Sequence, residues 1–407
     1  DLEKRSPFAS VSGATYILGV RPEPESRLLY WTDDSVDLGF ANRLRPSAEA
    51  LQSCIQCGSC TASCPTANRM ALSPLRLGRL IRLGMKDEVL RSGSFWQCTS
   101  CAACALHCPR GINMLEIIIA LKSYARREGL EPPEEVSALC RAVRAYRNIS
   151  GEPNDQRLRW STNLPQPLTG LDREPDADVL YFVGCIPSFY PRAFGVAQAF
   201  GRVLGLAGVR FTTLAGDEWC CGYPLFNAGM MDEAEEFIDH NVRRLEALGP
   251  RTLVTTCPSC FYTWSQILPR YRRLPLGLRL VHATQLLAEL MEAGRLRPAR
   301  LPCSVTYHDP CDLGRKSVEL REMPNTGINA LCCGGGGDVK LLDLDTTLDV
   351  ARRRVEQAQD VDAEIVATAC QQCKRALVSA VQWLRRPMKV VDVVELVWEA
   401  MADEVRW

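Results

Sequence analysis

The spacing of apolar residues divides this chain into two regimes. Between residues 46 and 126 the period is helical. Leu75, Leu77, Leu80, Ile81 and Leu83 mark one face of a helix that Ser73 and Pro74 start and Gly84 stops. Residues 112–126 form a second amphipathic helix. Beyond residue 178 short apolar runs alternate with helical stretches. A buried strand at 179–183 leads to a helix at about 193–207, a strand at 209–214, a helix at 231–248 ending at Gly249 and Pro250, and a strand at 252–256 followed by another helix. The second half repeats this order, with a strand at 303–307, a helix at 346–360, a strand at 364–368 and a helix. A last strand at 389–391 precedes a C-terminal helix. Alternation of this kind predicts a parallel sheet with its ligands at the carboxyl ends of the strands.

Residues 127–178 carry Glu-Pro-Pro, Gly-Glu-Pro-Asn-Asp and Leu-Pro-Gln-Pro, which read as a linker or extended wrap. The expected fold is therefore α+β and multidomain. An N-terminal extension (1–45) precedes a mainly helical domain (46–126) and the linker (127–178). Two copies of an α/β domain follow, at 179–300 and 301–407.

Charge and composition exclude more than they suggest. Lysine plus arginine equals aspartate plus glutamate, 48 against 48, so no overall field favours nucleic acid or an anionic membrane. The most apolar run, 114–121, is too short to span a bilayer and contains Glu116. No secretory signal is visible, and the expected location is cytoplasmic, with any membrane association made through a partner subunit. Twenty cysteines in a short secreted chain would mean a disulfide framework. In 407 residues of strongly periodic sequence, clustered Cys-x-x-Cys spacing points instead to metal and a reducing compartment.

Eighteen of those cysteines are ordered. The run C-x2-C-x2-C-x3-C-P occurs twice, as Cys54, Cys57, Cys60, Cys64, Pro65 and as Cys98, Cys101, Cys104, Cys108, Pro109. In bacterial ferredoxin spacing three thiolates wrap one cubane and the fourth reaches its neighbour. This assigns Cys54, Cys57, Cys60 and Cys108 to one [4Fe–4S] cluster, and Cys98, Cys101, Cys104 and Cys64 to the other. Zinc also takes four cysteines, but zinc sites rarely use four consecutive ligands closed by proline, twice over. Phe95 and Trp96, just before Cys98, are expected to shield a cluster from water, although core packing alone also explains them.

The second pattern is a lone cysteine, a Cys-Cys-Gly and a Cys-x-x-Cys. It runs Cys185, Cys220 and Cys221, Cys257 and Cys260, then again Cys311, Cys332 and Cys333, Cys370 and Cys373. Each group falls at a predicted strand end, where the positive end of the next helix lowers thiolate pKa values. Adjacent cysteines suit a multi-iron cluster better than one tetrahedral ion. The lone-to-double gap is 34 residues in the first copy and 20 in the second, which predicts residues absent after Arg315. Cys303 starts its strand, so Cys311 is the counterpart of Cys185. The glycines at 334–337 lack the Gly-Lys-Ser/Thr ending of a phosphate loop and let backbone crowd a cluster. His308, near Cys311, reads either as a hydrogen-bonded histidine at a strand end, the stronger expectation, or as a proton donor to a leaving thiolate. Cys140 and Cys303 read as ordinary buried thiols.

Together these residues resemble heterodisulfide reductase, with its ferredoxin-like C subunit fused to its B subunit as in the D subunit of the membrane-linked enzyme. Cys-Ile-Gln-Cys-Gly-Ser-Cys-Thr-Ala-Ser-Cys-Pro, Trp96-Gln97-Cys98 and Cys108-Pro109-Arg110-Gly111 resemble the C part. Phe182-Val183-Gly184-Cys185, Trp219-Cys220-Cys221-Gly222 and Tyr307-His308-Asp309-Pro310-Cys311 resemble the B part. The resemblance implies that Cys185, Cys220, Cys221, Cys257 and Cys260 hold one noncubane [4Fe–4S] cluster. It implies that Cys311, Cys332, Cys333, Cys370 and Cys373 hold another. Asp312 stands where relatives often have histidine.

The resemblance further implies an iron–sulfur oxidoreductase subunit that carries electrons through two cubanes to a noncubane pair, reducing a disulfide or oxidising thiols. Its partners would be a flavoprotein (heterodisulfide reductase A-like or a dehydrogenase), a membrane cytochrome b subunit or both, with a small disulfide or protein thiol as substrate. The alternative is a non-catalytic electron-transfer subunit between a flavoprotein dehydrogenase and a quinone or cytochrome b partner.

Overall fold

The computed structural model describes residues 36–401 except 45, 163, 165–167, 169–170, 172–176, 275–276, 300, 302, 304 and 313–328. Its N-terminal module is helical. Pro74 opens the Pro74–Arg82 helix after an extended Ser73, and Leu77 and Ile81 are fully buried along its inner face. The helix stops before Gly84, whose φ of +75° brings it so near the Asp37 carbonyl that a Cβ would sit 2.5 Å from that oxygen. Asn113 caps the Met114–Arg127 helix by accepting from the Glu116 N–H at 3.2 Å.

The predicted linker proves to be partly structured core. It contains a helix at Glu134–Tyr146, begun by Pro133 with Glu134 and Glu135 in its first turn, and a 3₁₀ segment at Asn154–Ser161. Val136, Cys140, Val143 and Trp160 are completely buried. Turn-forming prolines here mark the starts of helices rather than an absence of structure.

Two parallel sheets follow. The first has the order β2-β1-β3-β4, from β1 (Val179–Phe182), β2 (Phe211–Thr212), β3 (Thr252–Thr255) and β4 (Arg279–His282). Its central pair is in register from Val179 opposite Thr252 to Phe182 opposite Thr255. Helices Pro191–Leu206, Met231–Leu248 and Ala283–Glu292 lie between and after the strands. The second sheet has the order β5-β6-β7, from Val305–His308, Ile365–Thr368 and Lys389–Asp392. Helices Leu344–Asp360, Gln371–Trp383 and Val393–Met401 complete it. The expected gap after Arg315 falls at residues outside those described.

β4 and the helix after it were not foreseen from the sequence pattern. Arg-Leu-Val-His is a short edge strand, with only Val281 and His282 fully buried, so its apolar signal is weak.

One apolar core runs without a break from the helical module into the first sheet. It joins Leu77, Ile117 and Leu121 to Phe182, Phe226 and Leu253, and Cys185, Cys220, Cys221 and Cys260 are members of it. The C-terminal helix crosses back to the first unit. Val394 and Met401 pack with Phe200 and Val203, and the Arg202 guanidinium lies 5.0 Å from the Trp398 ring. Among the described residues no helix is long and apolar enough to cross a membrane.

Candidate iron–sulfur sites

The helical module folds its eight ordered cysteines around two cavities. The outer one is lined by Cys54, Cys57, Cys60 and Cys108, with Cys104, Pro109 and Arg110 completing the wall. The inner one is lined by Cys64, Cys98, Cys101 and Cys104 against Met70, Leu115 and Ile118. The structure thus brings three cysteines of each run together with the fourth of the other. The two binding loops share a backbone device. Gln56 and Gly58, two and four residues after Cys54, have positive φ, and so do Ser100 and Ala102 after Cys98. Non-glycine residues hold this conformation at a cost of roughly 1–3 kcal/mol, which is met where a bound group must be encircled. The Ser100 N–H then donates to Cys98 Sγ at 3.3 Å.

Burial raises two of the thiols at the inner site. It pushes Cys98 up to about 11 against the opposing charge of Lys122, and it drives Cys104 well upward. Thiols held protonated in this way give up their protons to solvent when their sulfurs take a metal. Phe95 and Trp96 are buried beside the inner site, packed on one another at 5.4 Å between ring centroids.

In the first α/β unit the five cysteines form one continuous chain of sulfurs. Cys220 bridges Cys185 and Cys221, and Cys260 bridges Cys221 and Cys257. Cys221, accepting from Cys220 and Cys260, is held well below the ordinary thiol range. Cys185 is lowered to about 7, first by the Cys220 hydrogen bond and then by the Arg157 charge, against burial. Gly184, at φ +80°, leaves room where a Cβ would lie 3.2 Å from Cys260 Sγ. A glycine cradle and five converging soft donors fit a multi-iron cluster.

Arg157 was not legible as a site residue. It is buried, ion-paired to Glu218 at 2.7 Å, and donates to Cys185 Sγ at 3.4 Å. Glu218 in turn accepts from the N–H groups of Val183 and Gly184 at 2.9 and 2.8 Å, fixing the turn that presents Cys185. Only the Trp-Cys-Cys-Gly motif just after Glu218 hints at this role, and Arg157 lies in the stretch read as linker.

In the second unit Cys332, Cys333, Cys373 and Cys370 form a similar chain, with Cys333 and Cys373 sulfurs 3.2 Å apart. Cys333 is hydrogen-bonded to both Cys332 and Cys373 and is held well below the usual range. Cys311 packs instead against the group formed by Cys101, Ala103, Cys332 and Val350. His308 places a ring nitrogen within 4.8 Å of the Cys333 and Cys373 sulfurs. Its Nδ1 accepts from Arg354 Nε at 3.1 Å, which leaves the hydrogen on Nε2. Cys140 is buried in its helix and Cys303 is half-buried.

The sulfur groups are joined across modules. Cys101 of the inner ferredoxin-type site is hydrogen-bonded to Cys332 of the second α/β unit. The glycine run lies over the same loop, and a Cβ on Gly336 would come 2.7 Å from the Thr99 carbonyl oxygen. Beneath them Lys122 Nζ meets Asp338 Oδ2 at 2.6 Å. Asn227 links Asp338 to Ser100 through bonds of 3.1 and 2.5 Å. The two α/β units meet at their cysteine ends. Ser259, between Cys257 and Cys260, donates to Asp312, and Gln371 Nε2 donates to the Thr256 carbonyl at 2.7 Å.

A helical module with two cysteine-lined cavities, packed against two parallel-sheet units that each gather a group of cysteines, defines an iron–sulfur oxidoreductase subunit. A model of the 4Fe-4S dicluster domain matches residues 50–112, and one of the cysteine-rich domain matches residues 179–264 and again 305–378. The D subunit of the dihydromethanophenazine:CoB–CoM heterodisulfide reductase of Methanosarcina mazei is 31% identical over 404 residues, covering 88% of this chain and 95% of that protein. Its counterpart from Methanosarcina barkeri is 30% identical over 399 residues, 86% of this chain and 94% of its own. The EtfAB:quinone oxidoreductase of Syntrophomonas wolfei is 25% identical, over 86% of this chain but 58% of that protein. The chain belongs to the family of heterodisulfide reductase D subunits. It carries [4Fe–4S] and cysteine-rich domains as an iron–sulfur oxidoreductase component.

Proposed function

We propose that the chain carries electrons singly from the outer to the inner ferredoxin-type site and then to the paired cysteine-rich sites, where a disulfide is reduced. The observation that supports this most is the Cys101–Cys332 contact, which puts the inner site against the second unit with no intervening side chain. Two cubane [4Fe–4S] clusters would be held by Cys54, Cys57, Cys60 and Cys108 and by Cys64, Cys98, Cys101 and Cys104. Two noncubane clusters would be held by Cys185, Cys220, Cys221, Cys257 and Cys260 and by Cys311, Cys332, Cys333, Cys370 and Cys373.

When bound, the clusters supply one-electron carriers and a soft metal face for sulfur. The overall change is R–S–S–R′ plus two electrons and two protons giving two thiols. The protein's own residues orient and protonate. Arg157 and Glu218 fix the first sulfur nest, while Ser259, Asp312 and Gln371 hold the two nests face to face. His308, whose ring has a nitrogen within 4.8 Å of the Cys333 and Cys373 sulfurs, would supply a proton to a departing thiolate there. The fully anaerobic protein, reduced and then mixed with candidate disulfides, is expected to show paramagnetic signals of cluster-bound thiolate. Silence across chemically varied disulfides would remove the catalytic reading.

A second reading, supported by the similarity to an EtfAB:quinone oxidoreductase, is a pure electron-transfer subunit between a flavoprotein and a quinone or cytochrome b partner. Electron delivery to a quinone by the chain plus such a partner, with no disulfide turnover, would favour it.

A further inference from the structure

The charge balance of the whole chain hides a strongly one-sided region. Residues 50–115, which hold both ferredoxin-type cysteine runs, contain only Asp87 and Glu88 as acids against Arg69, Arg76, Arg79, Arg82, Lys86, Arg91 and Arg110. Several of these cations gather where the outer site reaches the surface. Arg110 lines the outer cavity together with Ile55 and Cys57, and Arg82 donates to the Cys54 carbonyl at 3.3 Å. Arg76 and Arg79 are exposed on the same helix, whose Pro74 and Leu75 form another part of the cavity wall. Among the described residues no carboxylate is ion-paired with Arg76, Arg79, Arg82 or Arg110, whereas Arg141, Arg159, Arg270 and Arg352 on other faces each pair with a glutamate.

The patch also has an apolar centre and a redox edge. Ile55 is 61% exposed, and Cys57 is the one exposed member of the twenty cysteines. The inner site, by contrast, is closed over by the second α/β unit at Cys332 and the glycine run. The outer cavity, and not the inner one, therefore opens to the protein surface at Cys57. An uncompensated basic field around a small apolar contact speeds encounter with a surface of opposite charge and orients it.

We propose that this face docks the acidic surface of a small electron-carrier protein, bringing its redox centre over Ile55 and Cys57. The proposal rests on the reading of the Cys54, Cys57, Cys60 and Cys108 site as a cluster. The carrier delivers one electron per encounter, becoming oxidised as the outer site is reduced, and no bond or proton need move.

The test is stopped-flow bleaching of the iron-loaded, full-length protein by two reductants, a reduced plant-type ferredoxin as the acidic protein and the methyl viologen radical as a small cation. The ferredoxin rate constant is expected to fall about tenfold or more between roughly 50 and 500 mM salt. A double Arg76→Glu, Arg79→Glu variant, with unchanged iron content, should lose about tenfold at low salt, while its methyl viologen rate stays within about twofold. A ferredoxin rate indifferent to salt and to the double variant would overturn the docking proposal and leave the cluster reading standing. Protein with iron at the sites but no bleaching by methyl viologen would sink both.

Discussion

Lys122 and Asp338, far apart in sequence, form a fully buried ion pair with 2.6 Å between Nζ and Oδ2. Lys122 is the buried cation of the Met114–Arg127 helix and lies 5.1 Å from the Trp96 ring. Asp338 closes the glycine run of the second α/β unit and also accepts from Asn227 of the first. One carboxylate therefore ties three parts of the fold together next to the inner ferredoxin-type site.

Breaking that pair on one side leaves an uncompensated buried charge. Lys122→Met or Asp338→Asn is expected to destabilise by roughly 3–5 kcal/mol, with the Lys122→Met, Asp338→Leu double variant recovering a large part. Denaturant midpoints of the three proteins check this. A single variant as stable as the parent would show that water reaches the pair.

Iron content reads the four nests directly. Four four-iron clusters require about sixteen irons per chain in anaerobically loaded protein. Cys333→Ala should lower the total by about four and leave cubane-type signals in place. Cys101→Ala should disturb two sites together, because Cys101 touches Cys332. A parent value near eight would strip the duplicated units of their proposed role.

Asp392 gives a pH dependence with a definite sign. Burial raises its carboxyl to about 8, opposed by the Val394 N–H bond. The folded protein then keeps a proton that the unfolded chain releases near its ordinary value of 3.8. Its contribution to stability is full below pH 4 and is lost as pH rises toward 8. Thermal midpoints measured across that range should fall less steeply in Asp392→Asn. Parallel curves for the two proteins would rule this group out as the cause.

Gly334 adopts φ +72° with a Cβ position only 2.8 Å from the Thr347 carbonyl oxygen and 2.9 Å from Val350 Cβ. Gly334→Ala should therefore displace the Cys332 and Cys333 turn and lower iron occupancy of the second nest, while spectra of the ferredoxin-type sites stay intact. Gly129→Ala, where nothing crowds the Cβ position, separates local backbone strain from the loss of close packing.

What the sequence disclosed and withheld follows from how far each signal reaches. The strand and helix alternation and the cysteine spacings are local, so β1, β3, β6 and the helices beside them stand at their expected places. The Glu134–Tyr146 helix was obscured because proline is both a breaker and a good first residue, and only the burial of Val136, Cys140 and Val143 decides between the two. Arg157 could not be found because its partners, Glu218 and Cys185, lie 61 and 28 residues away. Asp312 looked like a departure from its relatives. In the fold it accepts from Ser259 of the opposite unit, a relationship that no spacing along one chain expresses.

The Cys333 and Cys373 sulfurs, and those of Cys101 and Cys332, are neighbours close enough to cross-link when no iron separates them. A newly synthesised chain that meets dioxygen before iron has ready-made neighbours with which to cross-link, and a bridge between Cys101 and Cys332 would shut two nests at once. Recombinant material raised in air is therefore expected to carry less iron than anaerobic material and to regain it only after a thiol reductant has reopened such bridges.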